Sequence, residues 1–242
     1  MRVLFCVIFL QLTSLVKAQN ELALATYNVL FNQKFDQEGI DVRQYRGSLQ
    51  VYNATVTDFY MVPDKPAAST DSQIEIHQDT VWRVQADLDK QELFFDDWFN
   101  ERVVSRWYSD SLYPMRWRIS NESSVIDSLT CTRAETYYRG RKYIAWFTYS
   151  IALPFGPWKL GGLPGLIVRV QDEHQNLVIS LSSFRQKKEK WSIRKFPSLT
   201  YAEYIRSGNE LRKMMKLSAQ QSDCIDCASK VRFFSWEKVF EE

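Results

Sequence analysis

The sequence predicts a mainly β domain: a single curved antiparallel sheet or half-barrel, with one helix near residues 201–219 packed on it. Three observations predict it. Aromatic residues make up 14% of the chain, and Tyr, Phe and Trp favour half-buried strands. Several short runs alternate apolar with polar residues, the period of a strand with one buried face. The backbone specialists are concentrated in one stretch, with four of the eight glycines in residues 156–165 and three of the seven prolines in 154–164. Strand-like runs flank that stretch on both sides, so it reads as a shaped crossover inside a sheet.

The chain opens with Arg2, a mostly apolar run from Val3 to Val16, and the small-residue site Val16-Lys17-Ala18 before Gln19. The run is shorter than the ~20 residues a spanning helix needs, and its order matches an export signal over residues 1–18. Cys6 lies inside the apolar run, which argues against a lipid anchor at that residue. Residues 19–221 form the β-rich domain, and 222–242 form a tail with the pair Cys224 and Cys227 and an aromatic end. No later stretch is apolar enough to cross a membrane.

Within the domain, Ala23–Phe31 and Ser48–Val62 each read as a strand, followed by a polar loop at 63–71. Gln73–Leu88 alternates through Ile74, Ile76, Val81 and Val84. Leu93–Phe99 fits a strand end or a short helix, because runs this short do not settle the period. Met115–Ile119 is expected as a short strand, ended by a turn at Ser120–Ser124. Thr130–Tyr138 and Lys142–Leu153 form a hairpin around Arg139-Gly140, with Tyr143, Ala145, Phe147, Tyr149 and Ile151 on one face. A second hairpin follows the Gly/Pro stretch, with its turn at Asp172–Asn176. Within the stretch, Pro164-Gly165 is expected to turn with glycine at positive φ, and Gly161-Gly162 to allow close backbone approach. Trp146 and Trp158 are expected to pack at its base. The basic run from Phe184 to Lys195 fits an edge strand guarded by lysines, or a docking surface for an anionic lipid or a partner. Thr200 and Glu203 make a capping box that opens the helix at Tyr201.

Removing residues 1–18 takes away Arg2 and Lys17 and no acid, which leaves 29 basic and 29 acidic residues. That balance argues against non-specific nucleic-acid binding, which needs phosphate neutralisation. Three cysteines remain, Cys131, Cys224 and Cys227. An odd count in an exported chain leaves one thiol free or bound elsewhere.

Hydrolase, P-loop and dinucleotide motifs are missing from the sequence. Cys224-x-x-Cys227 fits a short disulfide, a redox pair, or with Cys131 part of a metal site. The pair follows the last helix instead of opening one, which disfavours the redox reading. His77 and His174 stand at no ligand spacing to a cysteine. Asp96-Asp97 points to opposite faces of a strand and so suits a charged edge better than an acid–base pair. Arg139, Arg141, Trp146 and Lys159 are the candidate ligand-binding set, cations and an aromatic offered to an anionic group. The plainer reading of the two arginines is a tight turn in solvent. No cofactor is expected.

The run from Cys131 to Val168 is similar to the signature of the GLPGLI family of exported bacterial proteins. The residues that carry the likeness are Cys131, Gly140, Trp146, Gly156, Pro157, Lys159, Gly162, Leu163, Pro164, Gly165, Leu166 and Ile167. Where the family tends to place an acid, isoleucine and proline before Gly-Pro, this chain has Ser150, Ile151 and Ala152. The resemblance implies export to the periplasm, the outer membrane's surface or the medium. At the level of fold it also suggests the half-barrel of lipoprotein carriers, an analogy that does not fix function. The expected role is non-catalytic binding of a lipid-like apolar ligand or an envelope protein partner. A metal- or thiol-handling role for the three cysteines and an unrecognised hydrolase are the competing expectations.

Overall fold

The computed structural model describes residues 21–35, 39–64, 82–96, 106–192 and 197–220. The predicted export signal, His77, Asp97, Cys224, Cys227 and the tail lie outside these described residues. The first six strands are β1 (Glu21–Phe35), β2 (Gly39–Tyr52), β3 (Val56–Pro63), β4 (Trp82–Asp87), β5 (Glu92–Asp96) and β6 (Trp107–Ser111). They are followed by β7 (Arg118–Ile126), β8 (Leu129–Tyr138), β9 (Arg141–Thr148), β10 (Leu166–Asp172), β11 (Leu177–Lys188) and β12 (Ser198–Thr200). One helix, α1 (Tyr201–Gln220), follows β12 directly.

The strands form one open sheet in the order β12-β6-β5-β4-β3-β2-β1-β11-β10-β9-β8-β7. All pairings are antiparallel except the short β12–β6 pair. The fold is therefore mainly β, with one helix among the described residues. Asp110 on β6, second in the order, touches Arg139 in the β8–β9 turn near the other end. A flat sheet would hold those strands far apart, since neighbouring strands are spaced by about 4.8 Å. The sheet is curled, and its two ends meet across the inner face.

Period-two burial supplies that inner face. Ala23, Ala25, Tyr27, Val29 and Phe31 of β1 are buried, as are Tyr143, Ala145 and Phe147 of β9; opposite Phe147 and Ala145 stand the buried Ile167 and Val170 of β10, whose register slips between Ile167 and Arg169. The hollow is filled by the chain itself. Residues 149–165, between the neighbouring strands β9 and β10, fold back over the inner face, where Leu153, Phe155, Trp158, Leu160 and Leu163 join the same apolar core. The segment is held by its own backbone: Gly162 N donates to Pro154 O at 2.9 Å, and Leu166 N and Ile167 N donate to Ile151 O and Phe155 O, both at 3.0 Å. Residues 112–117 cross beside it, and the Trp117 indole donates to Gly161 O at 2.8 Å.

Several expectations change. The single strand expected over Ser48–Val62 is a hairpin, β2 and β3. Its turn runs over residues 53–55, with Asn53 and Ala54 at φ 48° and 57°, the left-handed conformation that tight hairpin turns draw on. Leu93–Phe99 resolves as strand β5 over its described part. The expected turn at Ser120–Ser124 lies inside β7, where the pairing with β8 shifts between Ile119 and Ser123. As the last strand in the order, β7 tolerates those polar residues because its outer edge faces solvent. The second hairpin strand ends at Thr148 instead of Leu153. The basic run begins on β11, an interior strand by order; its residues 183–188 pair with β1 but extend past the β10 register.

The glycine expectation is also corrected. Positive φ falls at Gly162 (84°) and Gly140 (75°), not at Gly165. What Gly165 supplies is space: a Cβ there would sit 2.0 Å from the carbonyl oxygen of Thr148.

The capping box is present. Thr200 N donates to Glu203 Oε2 at 2.7 Å, and Glu203 N donates back to Thr200 Oγ1 at 3.3 Å. Thr200→Ala removes one half of that exchange and is expected to cost about 1 kcal/mol. A lower urea midpoint at unchanged m-value would read it; an unchanged midpoint would show that the cap contributes nothing.

Candidate functional site

The described residue that draws the candidate set together is Asp110. It lies on β6 with its side chain 1% exposed. Arg139 Nη2 donates to its Oδ1 at 2.5 Å, and Lys159 Nζ donates to its Oδ2 at 3.3 Å. The Tyr138 hydroxyl reaches the same Oδ2 at 3.4 Å. One buried carboxylate thus joins the sheet's far end, the β8–β9 turn and the 149–165 segment.

Aromatic rings enclose the two cations. Lys159 Nζ stands 3.3 Å from the ring centre of Phe95 and 5.5 and 5.7 Å from those of Tyr201 and Tyr204. Arg139 stacks on Tyr201 at 3.6 Å and lies 5.4 Å from Tyr138. Cations over aromatic faces are attracted by the ring quadrupole, more so where water is excluded. Tyr201 and Tyr204 are brought here by the first turn of α1, whose start the capping box fixes. Tyr204 meets Phe95 edge-on at 5.0 Å and Tyr108 at 5.3 Å.

Local geometry places each cation. Arg139 and Gly140 form the two-residue turn between β8 and β9, at φ 48° and 75°. Lys159 follows Trp158, which has φ 56°, in a turn closed by Leu160 N donating to Pro157 O at 3.2 Å. A bulky residue at positive φ is uncommon and persists only where its surroundings hold it. Here Trp158 packs 6.1 Å from Tyr138 and 6.4 Å from Tyr143, ring centre to ring centre. That packing turns Lys159 toward Asp110. Burial alone would lower the Arg139 pKa; the Tyr138 hydroxyl, the Asp110 charge and Tyr201 outweigh it, so the guanidinium stays charged.

The structure brings together Arg139 and Lys159 and separates the other two members of the expected set. Arg141 points away and donates to buried Asp172 at 2.8 Å, while Asp172 also accepts from Leu177 N at 3.1 Å. That pair ties the start of β9 to the second hairpin. Trp146 is half-buried on the opposite face of β9 from Tyr143, Ala145 and Phe147, with Arg133 and Arg169 as its register partners. Asp110, Phe95, Tyr201 and Tyr204 were not singled out from sequence. A signal for the first of them existed: Lys159 is the one charge in an apolar segment, and a buried lysine requires a partner.

Cys131 is fully buried on β8 and its thiol donates to Leu129 O at 3.4 Å. Burial pushes its thiol pKa up, so little of the reactive thiolate forms. Peptide mapping after iodoacetamide at pH 8 is expected to leave Cys131 unmodified in the folded protein and to label it in urea. Labelling of the native protein would overturn that assignment. Among the described residues no three His, Cys, Asp or Glu side chains gather as a metal-binding group, and no helix is long and apolar enough to cross a membrane.

No family model matches the chain, and no curated protein matches it. Among solved structures it is similar to PNGF-II in two crystal forms. The TM-scores are 0.50 and 0.52 at 15% and 14% identity, over 77% of this chain in both cases and 32% and 33% of that one. The chain spans about a third of the length of PNGF-II. At this identity the likeness is one of fold. A LolA superfamily protein from Nitrosomonas europaea matches with a TM-score of 0.28 at 11% identity, over 74% of this chain and 89% of that one, too low a score to argue from.

Proposed function

We propose that this chain is an exported, non-catalytic cell-envelope protein of the GLPGLI type. It binds an apolar ligand or an envelope partner where α1, β5, β6 and the β8–β9 turn converge. The observation that carries the reading is Arg139. It is a charged side chain left 22% exposed, stacked on Tyr201 at the rim of an aromatic enclosure. The half-buried Tyr201 ring and the guanidinium edge stand side by side there, the aromatic and polar elements that binding sites combine. The sheet's hollow, filled by residues 149–165, is the less favourable place for a ligand.

Native mass spectrometry of protein purified from its own envelope tests this. A co-purified small molecule or partner is expected, and Tyr201→Ala is expected to release it. Protein that carries nothing, and that no envelope lipid extract or envelope protein fraction binds, would overturn the reading. Export is checked separately by a mature N-terminus at Gln19.

A further inference from the structure

We propose that the last turns of α1, from Leu211 to Gln220, dock on the surface of an anionic lipid bilayer. This is a different place from the aromatic enclosure, which draws on Tyr201 and Tyr204. At about 1.5 Å per residue, Leu211 stands roughly 10 Å beyond Tyr204 along the helix axis. The first half of α1 holds the helix to the sheet, with Tyr204 and Gly208 buried. From Asn209 onward no described side chain of the helix is buried.

This second half of the helix is two-sided. At about 100° per residue, Leu217, Met214, Leu211 and Met215 fall within one arc of about 160°. Met214 is 60% exposed and Leu217 47%. Arg212, Lys213 and Lys216 fall on the opposite side, so residues 211–220 carry three cations and no anion. Glu210, the last acid of the helix, lies on the apolar side and sets where the contact begins. A lone exposed leucine would mean nothing. An apolar arc opposite charge of a single sign is the pattern of helices that lie in a membrane interface. The methionines and leucines enter the headgroup boundary, and the lysine stems run beside them with their ammonium groups at the lipid phosphates. Charge selects the occupant. A second copy would set cations against cations, with no acid in 211–220 to meet them. An anionic bilayer offers negative charge above an apolar layer, which matches both arcs.

The test is flotation of the full mature protein with two kinds of vesicle. One is neutral phosphatidylcholine, and in the other about a third of the lipid is phosphatidylglycerol. Partitioning into the anionic vesicles is expected to be at least about tenfold stronger, since each lysine near such a surface is worth about fivefold. Raising the salt to about 0.5 M is expected to remove most of that preference. Lys213→Gln with Lys216→Gln is expected to bring the ratio down to a few-fold or less. Met214→Ser with Leu217→Ser is expected to weaken binding to the anionic vesicles by about tenfold. Circular dichroism checks that the helix survives in both double variants. Equal binding to the two vesicle types, or binding to neither, would overturn the proposal, and that wild-type comparison needs no variant. A preference that survives both double variants would move the lipid contact off α1 and sink it as well. So would a dimer in sedimentation velocity that Met214→Ser with Leu217→Ser dissociates while no vesicle binds, because the apolar arc would then belong to a second copy.

Discussion

Asp110→Ala is expected to lower the stability of the protein by about 3–5 kcal/mol, the usual cost of removing one partner from a buried charge pair. The carboxylate is 1% exposed and Lys159 is 2% exposed, so water cannot take its place without opening the enclosure. The loss falls on three elements at once, because β6, the β8–β9 turn and the 149–165 segment all reach this one group. For a chain of this length the cost corresponds to roughly 6–20 °C in Tm. Lys159→Met is expected to cost less. It leaves the Asp110–Arg139 pair in place and puts an adaptable thioether against Phe95, Tyr201 and Tyr204, a contact aromatic rings accept. Thermal melts of the two variants read the order, and an Asp110→Ala protein that melts with wild type would remove Asp110 from its central place.

The same cluster shows what was legible in the sequence. Alternation gave β8, β9 and β11, and their turns carry recognisable residues; in β10 Leu166, Ile167 and Val168 are all buried and the register slips before Arg169, so strict alternation fails there. Arg139-Gly140 was readable as a tight turn, since glycine accepts positive φ. Asn53-Ala54 makes a turn at the same kind of dihedral angles without a glycine, and so two strands read as one. Lys159 announced the need for a buried carboxylate but not which one. Asp110 is 49 residues away and sits in a short strand of serines and aromatics with no signal of its own. The meeting of Asp110 with the β8–β9 turn depends on the curl of the whole sheet, a property of twist summed over twelve strands. No local pattern contains it. The helix start was legible from Thr200 and Glu203, whereas the stacking of Tyr201 on Arg139 follows from where β12 pairs with β6.

Gly165→Ala is expected to destabilise the protein by about 3 kcal/mol or more, toward the upper end of what overpacking costs, and Gly165→Val by more. An added Cβ would stand 2.0 Å from Thr148 O, 2.8 Å from Thr148 C and 3.3 Å from Tyr149 N. These are backbone atoms at the end of β9, next to the register pair Leu166 and Thr148; they cannot swing aside like the tip of a side chain. To make room, the return of the 149–165 segment must separate from β9. The bond from Leu166 N to Ile151 O is lost with it, and the apolar plug loosens over the inner face. Gly162 is the matched control. It has φ 84°, but among the described residues its added Cβ meets Tyr113 Cβ alone, at 3.5 Å. Gly162→Ala therefore carries the left-handed backbone cost of roughly 1–2 kcal/mol and no steric one. The order of the two melting curves separates space from dihedral angle as the constraint on this segment. Were Gly162→Ala the more damaging, the close approach of Gly165 to Thr148 would not be what holds the segment against the sheet.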